Sequence, residues 1–189
     1  MTTTTVTRTY RILREDTQAL LIDMQEKFAP HIFEMPSVVA KARTLILGLQ
    51  ALNVPITVNE QYPQGLGHTV AELTQVLGDA PRFEKSVFSS VDDAPTWRHL
   101  AIQNRRHVLL FGIETHVCVQ QTALDLLDNG MQPVIVADAV SSRSAYDRKI
   151  AIRRIRRAGA VVTTTEAILF ELLRSSQDPA FKTISRLVK

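Results

Sequence analysis

HVLLFGIETHVCVQQTALDLLDNG, residues 107–130, is the stretch that decides the fold. The run from His107 to Gly112 is mostly apolar and does not alternate, which predicts a strand buried on both faces. A tight segment, residues 112–115, follows. A helical pattern then begins, with one apolar side and a stop at Asn129-Gly130; that side comprises Val119, Ala123, Leu126 and Leu127. The stretch therefore predicts a buried strand that turns directly into a helix.

Cys118 is the only cysteine in the chain, and it falls in the predicted first turn of this helix. The partial positive charge and the backbone N–H groups at a helix start favour a thiolate. A lone cysteine is more commonly a small buried hydrophobe. Its position after a strand and a tight turn favours a nucleophile, provided that partner residues come from elsewhere in the chain.

The composition is that of a globular protein with one core. The chain has 189 residues, of which 45% are hydrophobic and 22% charged. It has no apolar run near the ~20 residues that cross a bilayer, and its polar N-terminus lacks an apolar signal core. We therefore expect one domain over residues 1–189, with a flexible arm at 1–10, in a cytoplasmic protein without a membrane partner.

Much of the excess positive charge lies in one segment. The net charge is +3, and residues 148–157 contain six of the cations: Arg148, Lys149, Arg153, Arg154, Arg156 and Arg157. No aromatic residues interleave with them, as a surface for single-stranded nucleic acid would usually require. A solvated helix face or a subunit contact is the better interpretation, and we expect no nucleic-acid partner.

Strand and helix patterns alternate along the whole chain. Strands are predicted at 18–23, 54–58, 82–88, 107–113, 133–137 and 160–162. Helices are predicted at 36–49, 70–77, 94–104, 118–128, 146–158, 165–173 and 179–187. This alternation predicts a three-layer α/β/α fold with an open, mainly parallel six-stranded sheet of Rossmann-like type.

Right-handed crossovers place the carboxyl ends of parallel strands along one edge, where such folds bind ligands. This rule gathers Asp23, Asn59-Glu60, Asp138 and the turn before Cys118. Lys85, in a short extended segment, can reach the same edge. A cysteine nucleophile needs a base and usually a cation, and Asp23 and Lys85 supply these types. The alternatives are a helix or turn cap for Asp23 and an ordinary surface lysine for Lys85.

Three motifs together resemble the isochorismatase-like cysteine hydrolases, the superfamily of nicotinamidases and carbamoylsarcosine amidases. They are LLIDMQ with Asp23, FEKSVFS with Lys85 and GIETHVCV with Cys118. The resemblance covers residues 19 to about 173. EQYPQGLG and the later runs SSRSAYDRKIAIRRIRRAGA and TTTEAILFELL are similar to the isochorismatase domain-containing subgroup.

The resemblance implies a catalytic triad of Asp23, Lys85 and Cys118, and hydrolysis of a C–N bond of a small amide-type molecule through a covalent Cys118 intermediate. It implies a cis Ile113-Glu114 peptide and an oxyanion hole made by the backbone N–H groups of Glu114 and Cys118. It also implies a homo-oligomer, a dimer or tetramer, that uses no cofactor.

Two departures narrow the activity. Nicotinamidases have an Asp-x-His…His metal site just after the second strand, whereas residues 58–62 here read VNEQY, with no histidine pair. We therefore expect no catalytic metal, and nicotinamide becomes a doubtful substrate. Isochorismatases that cleave a vinyl ether commonly lack a cysteine at this position, so Cys118 argues against that reaction.

The remaining site predictions concern the substrate pocket, whose expected residues are Gln61, Tyr62, Phe28, Ile113 and His116. Phe88 is a further candidate, and ordinary packing is an equal alternative for it and Phe28. His116 either contacts substrate or caps the helix. Residues 141–143 either border the site or meet a neighbouring subunit. We assign no role to the other histidines, which are His31, His68, His99 and His107.

Three functions compete on these observations. The first is a metal-independent cysteine hydrolase. The second is a binding or interaction protein on the same fold, with the triad retained but little turnover. The third is a nucleic-acid-associated protein, which rests on the basic balance alone and comes last.

Overall fold

Six parallel strands form one open sheet in the computed structural model, which describes residues 10–189. In chain order the strands are β1 (Thr17–Ile22), β2 (Ile56–Gln61), β3 (Arg82–Lys85), β4 (His107–Ile113), β5 (Gln132–Ser141) and β6 (Val161–Thr163). Their spatial order is β3-β2-β1-β4-β5-β6, and every neighbouring pair is parallel. Residues 1–9 of the expected flexible arm lie outside the described residues.

Helices cover both faces of this sheet. They are α1 (Met35–Ala51), α2 (Pro63–Leu66), α3 (Ala71–Leu77), α4 (Ala94–Ile102), α5 (Gln120–Asp128), α6 (Ala145–Ala158), α7 (Thr165–Leu173) and α8 (Phe181–Leu187). One apolar core lies between the sheet and α1, α3, α7 and α8, and a second lies between the sheet and α4, α5 and α6. Because both faces are covered, β1 and β2 are buried along their whole length. The predicted three-layer fold is confirmed.

The sheet order reverses direction at β1 and β4. The chain runs outward from β1 through β2 to β3, then returns to β4 on the other side of β1 and continues to β6. The segments that leave β1 and β4 therefore lead to helices on opposite faces of the sheet, and the carboxyl ends of such a strand pair are the usual ligand position in sheets of this type. Asp23 directly follows β1, and Glu114 directly follows β4.

Two strands differ from the prediction in ways that matter for the site. β2 runs to Gln61, so Asn59 and Glu60 lie inside the strand and Gln61 pairs with Lys85. β5 is ten residues long because a bulge interrupts its pairing with β4: Leu110 pairs with Ile135, but Gly112 pairs with Val140.

Asp138 lies in this irregular part of β5 and does not join the other candidates. Its Oδ1 accepts hydrogen bonds from the Thr165 backbone N at 2.8 Å and the Thr165 Oγ1 at 2.9 Å. Its carboxylate therefore caps the start of α7, whose flanking residue Thr164 makes no side-chain cap of its own.

Candidate active site

Asp23 is placed by a close approach of two strands. Ile22, the last residue of β1, pairs with Gly112 of β4. A Cβ atom at position 112 would lie 2.1 Å from the Ile22 carbonyl oxygen, and Gly112 has a φ of +118°, so glycine is required there. Asp23 follows with a φ of 53° and donates its N–H to the Asn59 carbonyl at 3.1 Å. The carboxyl group is thereby fixed at the switch point of the sheet.

Lys85 ends β3 and points inward, with its side chain fully buried. Its Nζ donates to Asp23 Oδ2 at 2.8 Å and to Gln61 Oε1 at 2.7 Å. It also lies within hydrogen-bond distance of two backbone carbonyls, those of Val87 at 3.4 Å and Phe88 at 3.3 Å. Lys85 is therefore not a surface lysine, and its charge is surrounded by oxygen acceptors.

The two carboxylate oxygens of Asp23 differ. Oδ2 is held by Lys85, whereas Oδ1 is buried and accepts no hydrogen bond of standard geometry from residues 10–189. Burial raises the pKa of Asp23, although the charge of Lys85 and the neighbouring Cys118 thiol act in the opposite direction. Oδ1 is thus free to take a proton, and the raised pKa suits a base.

Cys118 is 6% exposed and lies in a π-helical turn, Thr115–Val119, that continues into α5. It is thus not in the first turn of an α-helix. Burial raises the pKa of the Cys118 thiol well above its ordinary value, and the negative charge of Asp23 adds to this, while Lys85 opposes it. Burial and the Asp23 charge therefore act against the thiolate that a helix start would favour.

The turn between β4 and Cys118 is fastened to the segment that follows β5. The Ile113-Glu114 peptide is cis. The Glu114 carboxylate binds Arg143, Thr115 Oγ1 donates to the Ser141 carbonyl at 2.9 Å, and His116 Nδ1 lies 3.0 Å from Ser142 Oγ. Burial alone would raise the pKa of Glu114, but the hydrogen bonds from Arg143 hold that pKa below its ordinary value.

Gln61 and Gln25 form a chain of hydrogen bonds that holds Lys85 in position. Gln61 Nε2 donates to the Ser86 carbonyl at 3.0 Å, which leaves its Oε1 aimed at Lys85. Gln25 accepts the Gln61 N–H at 2.7 Å and donates to the Gln61 carbonyl at 2.9 Å. Gln25 was not singled out from the sequence, although it lies two residues after Asp23 in the LLIDMQ motif.

Glu60 and His68 form a second polar pair that sequence reasoning missed. Glu60 is buried and accepts hydrogen bonds from Thr69 N at 2.8 Å and Thr69 Oγ1 at 2.6 Å, with His68 Nδ1 at 3.0 Å. Burial acts to raise the pKa of Glu60, but these hydrogen bonds lower it below its ordinary value. In residues 10–189, no group of three or more His, Cys, Asp or Glu side chains is placed to hold a metal ion.

The predicted pocket residues divide by exposure. Tyr62 and Phe88 are 58% and 53% exposed, and both adjoin Lys85: the Tyr62 N–H donates to the Lys85 carbonyl at 3.0 Å, and the Phe88 carbonyl accepts from Lys85. The Ile113 side chain is fully buried in the core, and Phe28 packs, half-buried, against the same core. His116 is half-buried.

No helix in the part of the chain that the structure describes is both long and apolar enough to cross a membrane.

The fold and the site define a Rossmann-like α/β protein with a buried Asp–Lys–Cys cluster at its switch point. The chain belongs to the isochorismatase family: residues 17–167 match the Isochorismatase domain. The secreted isochorismatase effector Isc1 of Phytophthora sojae is 42% identical over 184 residues, which cover 95% of this chain and 87% of that protein. Isochorismatase domain-containing protein 2 of Bos taurus is 43% identical over 179 residues, covering 95% and 86%.

Solved structures agree with this assignment. The MAR1 ribonuclease of Caenorhabditis elegans has a TM-score of 0.89 at 42% identity, covering 94% of this chain and 92% of that one. YcaC of Escherichia coli, described as an octameric hydrolase of unknown specificity, has a TM-score of 0.90 at 22% identity, covering 96% and 91%. At that identity the YcaC likeness concerns the fold alone. The predicted family and its isochorismatase domain-containing subgroup are confirmed.

Proposed function

We propose that this protein is a metal-independent cysteine hydrolase that cleaves the C–N bond of a small amide through a covalent intermediate on Cys118. The isochorismatase-family hydrolase fold supports hydrolysis as the reaction class. The observation that carries the proposal is the Asp23 carboxylate, which neighbours the Cys118 thiol: Lys85 holds one of its oxygens, and the other is buried without a standard hydrogen bond.

In the first half-reaction, the Cys118 thiol passes its proton to Asp23 Oδ1 as sulfur attacks the amide carbon. The S–C bond forms while the carbonyl π electrons move to oxygen. The pKa of the thiol is raised, so proton transfer accompanies attack rather than preceding it. Lys85 favours the ionised form of Asp23, which is the form that accepts the proton.

The developing oxyanion is stabilised by the backbone N–H groups of Glu114 and Cys118. Donors fixed in position stabilise such a charge by ~2.7–4 kcal/mol each. When the tetrahedral intermediate collapses, the C–N bond breaks, and the departing nitrogen takes the proton from Asp23. An acyl thioester on Cys118 remains.

In the second half-reaction, Asp23 takes a proton from a water molecule, which attacks the thioester carbon. The C–S bond breaks, the carboxylic acid is released, and the sulfur regains the proton held by Asp23. The enzyme returns to its starting state with one amide and one water consumed. No cofactor takes part.

Tyr62 and Phe88, whose main chains contact Lys85 and whose side chains are exposed, form the outer wall of the proposed substrate pocket. His116 and Phe28 complete the pocket, and Ile113 contributes through its peptide bond with Glu114. Gln61 acts on Lys85 instead of touching substrate, because its side-chain oxygen and nitrogen are both engaged inside the protein.

The test is a screen of small primary and secondary amides with the wild type and Cys118→Ala, with and without EDTA. We expect ammonia or amine release by the wild type, unchanged by EDTA and absent in Cys118→Ala. Hydrolysis that survives in Cys118→Ala would contradict the nucleophile, and loss of hydrolysis with EDTA would contradict the absence of a metal.

A binding protein without turnover is the second candidate, and the raised pKa of the Cys118 thiol favours it, because a raised pKa lowers the fraction of the thiol that is present as the nucleophilic thiolate. The rate of Cys118 alkylation by iodoacetamide separates the two. The hydrolase proposal expects alkylation at pH 7 that depends on Asp23, which accepts the thiol proton, and on Lys85, which binds Asp23. A slow rate that Lys85→Ala leaves unchanged favours the binding protein.

The ribonuclease named among the structural relatives, and the exposed arginines of α6, make RNA a control substrate. We propose that nucleic acid is not a partner. Incubation with a single-stranded RNA at ~50 mM salt should leave the RNA intact and unbound. Cleavage by the wild type that is lost in Cys118→Ala would replace the amide with RNA as substrate.

We further propose a cytoplasmic homo-oligomer, a dimer or tetramer. YcaC is described as octameric, and Isc1 as secreted, so each point needs its own measurement. Light scattering after size-exclusion chromatography should give a mass of two or four chains, and fractionation of the source cells should leave the protein in the cytosol.

A further inference from the structure

We propose that the Glu114–Arg143 ion pair is a positioning device that holds the backbone N–H of Glu114 in place to meet the developing oxyanion. The inference rests on the proposed function, because it gives these two side chains a purpose in the acyl-transfer step. Neither side chain is proposed to touch the reacting atoms.

The contact between the two residues is unusually complete. Glu114 Oε2 accepts from the Arg143 backbone N at 3.0 Å and from Arg143 Nε at 3.1 Å, and Glu114 Oε1 accepts from Arg143 Nη2 at 2.7 Å. The Glu114 side chain is 5% exposed, whereas that of Arg143 is 65% exposed. A planar guanidinium and a carboxylate joined by two parallel bonds fix direction as well as distance. The third hydrogen bond, from the Arg143 backbone N–H, joins the carboxylate to the main chain of the segment that follows β5.

Two further polar contacts, next to this pair in the chain, join the same two segments. Successive residues Thr115 and His116 contact Ser141 and Ser142, so three neighbouring residues of the turn each bind the segment 141–143. That segment is itself anchored on its other side, where Ser141 Oγ donates to the Phe33 carbonyl at 2.7 Å and the Ser142 carbonyl accepts from the Phe33 N–H at 3.0 Å. The turn at residues 114–116 is therefore bound to a segment that is itself held in place by Phe33.

The charge of the Glu114 carboxylate explains why a cation is needed beside it. The Glu114 carboxylate is separated by only two methylene groups from the main chain of an oxyanion donor, and if unpaired it would repel the negative charge that forms on the substrate oxygen. Arg143 neutralises this carboxylate and also holds it away from the donor. The pair thus gives the turn rigidity without adding net charge near the reacting carbonyl.

The positioning role predicts a difference between two reactions of the same thiol. Alkylation by iodoacetamide forms a C–S bond and expels iodide, with the thiol proton going to Asp23, and no carbonyl oxygen gains charge. Acylation by p-nitrophenyl acetate forms the C–S bond through an oxyanion and expels p-nitrophenolate. A misplaced Glu114 N–H therefore slows acylation and leaves alkylation unaffected.

The experiment compares Arg143→Ala, Arg143→Lys and Glu114→Gln with the wild type, and uses Arg153→Ala on the outer face of α6 as the matched control. For Arg143→Ala we expect a fall in the acylation rate on the order of 10–100-fold and an alkylation rate within about twofold. Glu114→Gln and Arg143→Lys keep part of the contact and should lose less. Equal falls in both reactions, or no fall in acylation, would overturn the inference.

Hydrogen exchange supplies a readout independent of activity. In Arg143→Ala the amides of residues 113–117 should exchange faster at pH 7, while those of β1 remain unchanged. Unchanged exchange in the turn would overturn the inference even if acylation slows. If wild-type Cys118 is not acylated at all, the proposed function fails, and the exchange result still decides whether the pair positions the turn.

Discussion

Lys85 Nζ lies 2.8 Å from Asp23 Oδ2, and the two residues are 62 positions apart in the chain. Both side chains are almost completely excluded from solvent. Burying two charges is unfavourable unless they are paired and further hydrogen-bonded, and here Gln61 and two backbone carbonyls complete the environment of the lysine. Such a pair is more easily understood as part of a reactive site than as a source of stability.

Lys85→Met removes the cation and leaves Asp23 buried without a partner. We expect the free energy of unfolding to fall by about 3–5 kcal/mol, because a buried charge loses its partner. The alkylation rate of Cys118 should fall at least ~10-fold, since the pKa of the thiol rises without the lysine charge and each unit of that rise lowers the thiolate fraction about tenfold. Urea denaturation and iodoacetamide kinetics measure the two effects. Lys149→Met, on the exposed side of α6, should change neither; equal behaviour of the two variants would contradict the role of Lys85.

Gln61→Met keeps the volume of the side chain and removes the acceptor that faces Lys85. The lysine then loses its shortest hydrogen bond, so it holds Asp23 less firmly, and alkylation should slow several-fold while the amide KM stays close to that of the wild type. Gln64→Met, in an exposed neighbour, is the control. A large rise in KM with an unchanged kcat would instead place Gln61 against the substrate.

Gly112→Ala tests the strand approach that positions Asp23. The added methyl group would lie 2.1 Å from the Ile22 carbonyl oxygen, so β1 and β4 must separate at the site. We expect a loss of about 3 kcal/mol or more in stability together with loss of Cys118 reactivity. Gly130 has a φ of +77°, but nothing lies within 4 Å of a carbon added there. Gly130→Ala should therefore lower the free energy of unfolding by only about 1–2 kcal/mol and leave the reactivity of Cys118 unchanged.

The pH dependence follows from the raised pKa of Asp23. Because burial keeps the carboxyl group protonated to a higher pH than an ordinary aspartate, the rate of Cys118 alkylation should fall on acidification with a midpoint above pH 3.8. A raised folded-state pKa also means that ionising Asp23 lowers the stability as pH rises through this range. Asp23→Asn should abolish the acid-side transition in rate; a transition that remains would assign it to another group.

Much of the fold was predictable because its signals are local. Apolar runs such as those ending at Asp23 and Gly112 predict buried strands, and their alternation with helical patterns predicts the layered sheet. The bulge in β5 was not predictable, because it arises from the register against β4, and for that reason Asp138 went to α7 instead of the site.

The site was predictable to the extent that strand ends carry it. Asp23 directly follows β1 and Lys85 ends β3, and the motifs around them and Cys118 resemble a family. The contacts between loops had no such signal: Glu114 with Arg143, and Glu60 with His68, meet only after the sheet has brought distant segments together. The raised pKa of Cys118 was missed for the same reason, since burial and the Asp23 charge are properties of the assembled fold.

The central claim is that Cys118 forms a covalent acyl intermediate with the help of Asp23. The most direct test is intact-protein mass spectrometry after brief mixing with p-nitrophenyl acetate, followed by peptide mapping. We expect one added acetyl group, located on Cys118, that disappears with time in the wild type and never forms in Cys118→Ala. An adduct that maps to another residue, or a Cys118 that stays unmodified while the wild type turns over substrate, would contradict the account.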